Sequence, residues 1–237
     1  MKIKLFTIPN IITLCNLLCG SMATLSALVY GDIKSAFYLI LAAAVCDFLD
    51  GASARLLKQY SAIGVQLDSL ADMVSFGLAP AAILYTLISG GDTYWHLFDG
   101  FRHMIAGVPF LITAFSALRL AKFNIDDTQH TEFCGLPTPA AAIFCASFAV
   151  LLSDKGIAVP GEWLALLSII VASLLISPIR MFSLKFSSFK WQENKVRFLF
   201  AAAALCAIIV WGIYSVAFII VTYIAVSTLL WICRRKK

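Results

Sequence analysis

The chain alternates long apolar runs with short polar segments, and that alternation sets the first structural expectation. A helix needs roughly 20 mainly apolar residues to cross a bilayer. Eight runs come close to that length: 8–30, 35–57, 69–89, 103–122, 136–153, 163–179, 196–213 and 215–233. They predict an all-α fold, a polytopic transmembrane helical bundle forming a single domain over residues 1–237. Only a tight turn near Tyr214 divides the last two runs. A count of six or seven spans stays open if 163–179 or 215–233 lies differently. The opening Met1–Leu5, with Lys2 and Lys4, loosely mimics a signal peptide. The apolar run behind it is long and has no convincing small-residue cleavage site, so it reads as a retained first span.

Composition agrees with membrane burial. Of 237 residues, 61% are hydrophobic and 13% charged, with a mean hydropathy of +0.92. Soluble domains carry about a quarter charged residues, and a water-soluble globule of this length cannot hide so much apolar surface. The net charge of +5 does not gather into one patch, which argues against nucleic acid as a partner. The cations fall between the apolar runs, where they set topology. With the N-terminus in the cytoplasm, 15 of the 18 Lys and Arg lie on that side, and only Lys34, Arg102 and Lys155 lie on the other. Both termini are therefore expected to be cytoplasmic.

The stretch 180–197 mixes cations with Phe182, Phe186, Phe189 and Trp191. It reads equally as a segment lying in the headgroup zone against anionic lipid or as a solvated loop. The seven cysteines, Cys15, Cys19, Cys46, Cys134, Cys145, Cys206 and Cys233, form no CxxC pair and sit mostly in apolar runs. They are expected to be small buried hydrophobes with free thiols, not a zinc site or a disulfide framework.

One region breaks the apolar pattern. Residues 46–77 carry Asp47, Asp50, Asp68 and Asp72, with only Arg55 and Lys58 as nearby cations. An aspartate at the centre of a membrane helix costs about 2.5–3.5 kcal/mol on insertion scales. Four of them would cost on the order of 10 kcal/mol without compensation. Asp47 and Asp50 are spaced i, i+3, and Asp68 and Asp72 i, i+4, so each pair shares a helix face. Two antiparallel helices joined by a turn around Gln59–Gly64 would bring both pairs to a similar depth. Four converging carboxylates suit hard divalent cations such as Mg²⁺ or Mn²⁺, in a two-ion arrangement suited to displacement at phosphorus.

Neighbouring residues fit the same chemistry. Gly51, Ala52, Ser53 and Ala54 thin one helix wall, for a packed helix or for a nucleotide. Arg55 can aim its guanidinium at phosphate oxygens or serve as an interfacial charge. Nearer the N-terminus, the residues alone make Pro9 a helix starter and Asn10 a cap.

The spacing Asp47-x-x-Asp50-Gly51-x-x-Ala54-Arg55, then Gly64, Asp68 and Asp72, resembles the full signature of the CDP-alcohol phosphotransferase family. The resemblance implies that metal binds at Asp47, Asp50, Asp68 and Asp72, with Asp72 also the general base. It further implies that the cytidine diphosphate part of the donor contacts Gly51, Ala54 and Arg55, with Ser61 near a phosphate. Pro9-Asn10-Ile11-Ile12-Thr13 is similar to the family's first-helix motif, which would bring Asn10 and Thr13 close to the donor.

Arg119–Asn124 and Phe133–Ala142 look like the phosphatidylserine synthase branch of that family. The implied substrates are CDP-diacylglycerol and L-serine. The implied setting is a homodimer in a bacterial-type inner (plasma) membrane, among membrane lipid, with its active site facing the cytoplasm. Arg119, Lys122 and Asn124 are then candidates for serine, since an arginine fork suits a carboxylate; as charges alone they also fit positive-inside anchors. Pro137 and Pro139 are expected to set the start of the fifth span. Two rivals remain: the same transferase with glycerol 3-phosphate or inositol phosphate as acceptor, and a cation transporter with carboxylates along its path.

Overall fold

The computed structural model describes residues 5–90, 99–125, 133–181 and 191–235. Lys2, Lys4, residues 182–190 of the aromatic–basic stretch, and Lys236–Lys237 lie outside them. The described chain is helical apart from a two-residue pairing of β1 (Phe133–Cys134) with β2 (Arg180–Met181). Six helical stretches are long and apolar enough to cross a membrane. The chain is an integral membrane protein.

The helices are α1 (Ile8–Tyr30), α2 (Ile33–Leu56), α3 (Ala62–Asp72), α4 (Ala79–Ser89), α5 (Arg102–Ala106), α6 (Phe110–Ile125), α7 (Thr138–Lys155), α8 (Gly161–Leu175), α9 (Trp191–Trp211) and α10 (Ser215–Arg235). A π-helical segment, Met73–Leu78, joins α3 to α4 into one continuous stretch, Ala62–Ser89. This stretch begins seven residues before the expected 69, because Ser61 caps it: its Oγ accepts the Gly64 N–H at 3.0 Å. Likewise α1 is capped by Thr7, not Asn10. The Thr7 hydroxyl accepts the Asn10 N–H, and Pro9 occupies the first turn, where its missing N–H costs nothing. At α7, Pro137 is the cap and Pro139 lies in the first turn, as expected from the Pro–x–Pro pair.

The fourth run is interrupted. Gly107–Pro109 separates α5 from α6, and Pro109 cannot donate a helical hydrogen bond. The final stretch, Phe198–Leu229, is not one straight helix. Phe200 and Tyr223 meet with ring centroids 6.0 Å apart, whereas a straight helix would separate them by about 35 Å. The chain reverses through Gly212–Tyr214, where Gly212 adopts φ +59°, a conformation that glycine takes without penalty.

The core uses small residues. Ala23, Ala27, Ala36, Ala43, Ala79, Ala82, Ala142, Ala146 and Ala149 pack with Phe37, Ile40, Phe76 and Ile83 where α1, α2, α4 and α7 meet. Between membrane helices the drive comes from close van der Waals contact, and alanine lets backbones approach. Leu18, Val45, Phe48, Ile209 and Phe218 are among the large apolar side chains left on the outer surface, where acyl chains replace water as solvent.

Two sets of contacts order the ends of the helices. Asp154 near the end of α7 takes Lys34 Nζ at 2.9 Å and the Tyr214 hydroxyl at 3.0 Å, joining the start of α2 to the α9–α10 turn. At the other end, Leu136 N–H donates to the Leu174 carbonyl at 2.9 Å, and Gly135 N–H to Ile179 at 2.9 Å. Gly135 sits at φ +76° with Leu175 against its Cα, so a side chain there would strike backbone. Cys15, Cys19, Cys46, Cys145 and Cys206 carry free thiols as expected, but only Cys145 is buried within the protein; Cys15 and Cys206 are exposed on the outside of the bundle, contrary to the expectation of buried side chains.

Candidate active site

Three elements build the site: the first three turns of α1, the last three turns of α2, and α3. Helical spacing puts Asn10, Thr13 and Asn16 on one face of α1, and all three are buried. That face receives the aspartates. Thr13 Oγ1 donates to Asp50 Oδ2 at 2.6 Å, and Asn16 Nδ2 donates to Asp72 Oδ1 at 3.1 Å. Asn10 Nδ2 donates to the Leu5 carbonyl at 2.8 Å, so this side chain ties down the entering chain instead of capping the helix.

The four carboxylates divide three and one. Asp47, Asp50 and Asp68 each offer an oxygen, and these oxygens lie within 4.8 Å of one another. Asp72, one turn beyond Asp68 and only 8% exposed, is not among these three and accepts the hydrogen bond from Asn16. None of the four makes an ion pair among the described residues. Asp68 Oδ1 is buried with no hydrogen-bond partner. A buried carboxylate oxygen with no partner beside two other carboxylates is costly to keep charged, and a divalent cation held among the three would relieve that cost. The donor set is all oxygen and acidic, which fits Mg²⁺ or Mn²⁺.

A cavity of about 210 Å³ opens beside this cluster. Asn10, Thr13, Gly51, Ala54, Arg55 and Ser61, all the residues expected to meet the donor, line it together with Asp50 and Asp68. A Cβ added at Gly51 would find Arg55 Nη1 as its nearest neighbour, at 3.5 Å, so no neighbouring helix presses there. The thinned wall of α2 therefore faces the cavity. Gly64 differs, because a Cβ would sit 3.0 Å from Ser61 Oγ and 3.1 Å from Asn10 Oδ1. Its bare backbone is what lets α3 close against α1.

The residues expected to receive serine are separated. Arg119 and Lys122 line a second cavity of about 300 Å³ with Leu118, Phe123, Leu175, Ile176 and Ser177. Arg119 Nη1 reaches Thr138 Oγ1 at 3.5 Å. Asn124 instead donates to Ser69 Oγ at 2.9 Å, on the helix that carries Asp68 and Asp72. Sequence reasoning passed over Asn16, Gln59 and Tyr60, the last two of which also line the donor cavity. Asn16 had a signal in its spacing, continuing the i, i+3 series of Asn10 and Thr13 within an apolar run.

A family model described as CDP-alcohol phosphatidyltransferase matches residues 6–176, which include every element of this site. The chain belongs to the CDP-alcohol phosphatidyltransferase family. Curated relatives of this family member bear the name CDP-diacylglycerol–serine O-phosphatidyltransferase. The Methanocaldococcus jannaschii protein is 31% identical over 207 residues, covering 87% of this chain and 85% of that relative. The Mycobacterium bovis protein is 34% identical over 218 residues, 86% of this chain and 70% of the relative. The Helicobacter pylori (strain J99) protein is 36% identical over 153 residues, 64% of this chain. The match spans 60% of the length of that last relative. Membership in a phosphatidyltransferase family removes the ground for the transporter reading.

Proposed function

We propose that this chain transfers the phosphatidyl group from CDP-diacylglycerol to L-serine, giving phosphatidylserine and CMP. The observation that carries the reading is the convergence of the donor-cavity residues and the acidic cluster on one end of α1, α2 and α3. The relatives' shared name supports the choice of serine.

In this reading Asp72 accepts the proton of the serine hydroxyl. The serine oxygen attacks the phosphorus next to diacylglycerol, a new O–P bond forms, and the bond to CMP breaks with its electron pair leaving on CMP. Asp47, Asp50, Asp68 and Asp72 hold divalent metal, two ions in the full site. Bound there, the metal supplies positive charge against the phosphate oxygens. Thr13 orients Asp50 by its 2.6 Å hydrogen bond. Arg55, on the cavity wall, binds phosphate through its guanidinium fork, and Gly51 and Ala54 leave room for the nucleotide. Arg119 and Lys122 attract serine's carboxylate, and Asn124 braces α6 against α3 beside the acids.

Topology follows the same reading, with eight crossings and both termini in the cytoplasm. The Lys34–Asp154–Tyr214 contacts support a common side for the start of α2, the end of α7 and the α9–α10 turn. The Leu136–Leu174 hydrogen bond supports the opposite side for the end of α8. The fifteen residues of α8, about 22 Å of helix, then carry the chain across a bundle that shields the short span. The active site opens to the cytoplasm of an inner (plasma) membrane, and the enzyme works as a homodimer, as the family resemblance implies.

The test is CMP release by purified enzyme from CDP-diacylglycerol with serine, glycerol 3-phosphate or inositol phosphate as acceptor. Release with serine alone is expected. Release with another of these alcohols but not with serine overturns the acceptor assignment.

A further inference from the structure

Asn16 is completely buried in the first membrane helix, where an asparagine is tolerated only for what it binds. Its side chain is half satisfied. Nδ2 donates to Asp72 Oδ1 at 3.1 Å, while its own Oδ1 is buried with no hydrogen-bond partner. A carboxylate only accepts, so the NH₂ end of the amide must face Asp72. That choice leaves the carbonyl end orphaned. A side chain kept only to stitch helices together would be satisfied at both ends or replaced by an apolar one.

The packing of α1 on this region does not depend on that amide. Ser75 Oγ donates to the backbone carbonyl of Asn16 at 2.9 Å. One turn on, the bare backbone of Gly20 lies directly against Ser75, where a Cβ would collide with Ser75 Oγ and Cα. Ser75 belongs to the π-helical segment that follows Asp72, and Thr113 Oγ1 of α6 holds the same segment through the Gly77 carbonyl at 3.1 Å. The Ser75 hydroxyl on the Asn16 carbonyl and the bare Gly20 against Ser75 thus hold α1 to the π-helical segment without the Asn16 carboxamide, whose one hydrogen bond goes to Asp72.

We propose that Asn16 is a positioning residue for Asp72, holding the base's carboxylate in the one orientation from which it can take the acceptor's proton. The proposal rests on the reading of Asp72 as the base. Among the described residues Asp72 has no other hydrogen bond, so the Asn16 amide is the side-chain contact that orients its carboxylate.

The experiment compares Asn16→Leu and Asn16→Ala with Ser75→Ala in the full-length enzyme, reading kcat, the KM for each substrate and the unfolding midpoint in detergent. Asn16→Leu keeps the volume; Asn16→Ala carries the same test if Leu does not accumulate. The expected result is a 10- to 100-fold fall in kcat, with the KM for CDP-diacylglycerol within about twofold of wild type. Ser75→Ala, which removes the packing contact but leaves the amide, should keep kcat near wild type. In an Asp72→Asn background, Asn16→Leu should cost nothing further, because residues acting as a unit are not additive. The proposal is overturned if the donor KM rises in step with the loss of kcat, if Ser75→Ala loses as much as Asn16→Leu, or if the loss persists undiminished in the Asp72→Asn background. Near-normal turnover by Asp72→Asn would instead refute the base assignment. Normal turnover by Asn16→Leu beside a dead Asp72→Asn enzyme would refute this proposal alone.

Discussion

The two ends of α2 treat aspartate in opposite ways. Near the start of the helix, Lys34 pairs with Asp154, which also accepts the Tyr214 hydroxyl. Lys155 lies over the ring of that tyrosine, 4.9 Å from its centroid. This acid is exposed, opposed by cations and fully accounted for. About 20 Å away at the far end of the helix, Asp47, Asp50 and Asp68 crowd their oxygens together with no cation among the described residues in ion-pair reach. The first cluster is finished by the protein's own side chains and fastens α2, α7 and the last hairpin together. The second is left without a counter-charge of its own, which is what the proposed divalent metal would supply.

Substitution should separate the two ends sharply. Asp68→Asn or Asp50→Asn is expected to lower serine-dependent CMP release by about a thousandfold or more, as when a group that stabilises charge at a reacting centre is lost. Near-wild-type kcat in either variant would make the acidic cluster structural. Chelation should likewise abolish turnover in the intact enzyme, and added Mg²⁺ or Mn²⁺ should restore it. Either ion should also raise the unfolding midpoint, since a ligand that binds only the native state stabilises it. An unfolding midpoint that ignores both ions would count against metal in the cleft.

Gly20→Ala tests the packing beneath the cleft. The added methyl collides with Ser75, and overpacking of this kind costs typically about 1–3 kcal/mol, to be read from chemical or thermal unfolding. Arg119→Ala should raise the KM for serine about tenfold, as loss of a charge-assisted hydrogen bond does, while moving that for CDP-diacylglycerol little; equal changes in both would reduce Arg119 to an anchor. The smallest effect is expected at the paired end. Asp154→Asn should leave kcat within about twofold of wild type, because exposed ion pairs contribute little. A loss comparable to that of Asp68→Asn would erase the distinction between the two clusters.

Much of this was legible in the sequence. The cost of acids in an apolar span singled out Asp47, Asp50, Asp68 and Asp72, and helical spacing assigned each pair a common face. The motif resemblance selected Asn10, Thr13, Gly51, Ala54, Arg55 and Ser61, which do line one cavity. Periodicity could not distinguish Thr7 from Asn10 as the cap, since that depends on which backbone turns first. Nor could it reveal that Arg119 and Lys122 open onto a different cavity from the one lined by Asp50 and Asp68.

The chain's own order of residues determined that it lives in a membrane, that its acids share helix faces, and that small residues flank them, because those properties depend on local spacing and on transfer energies of single side chains. Only the packed bundle decided how deeply one helix sits against the next. The close approaches of Gly20 to Ser75 and of Gly64 to Asn10 set those depths, bringing three carboxylates together and placing Asp72 against Asn16. Depth and rotation between helices arise from contacts between residues far apart in the chain, and no local pattern encodes them.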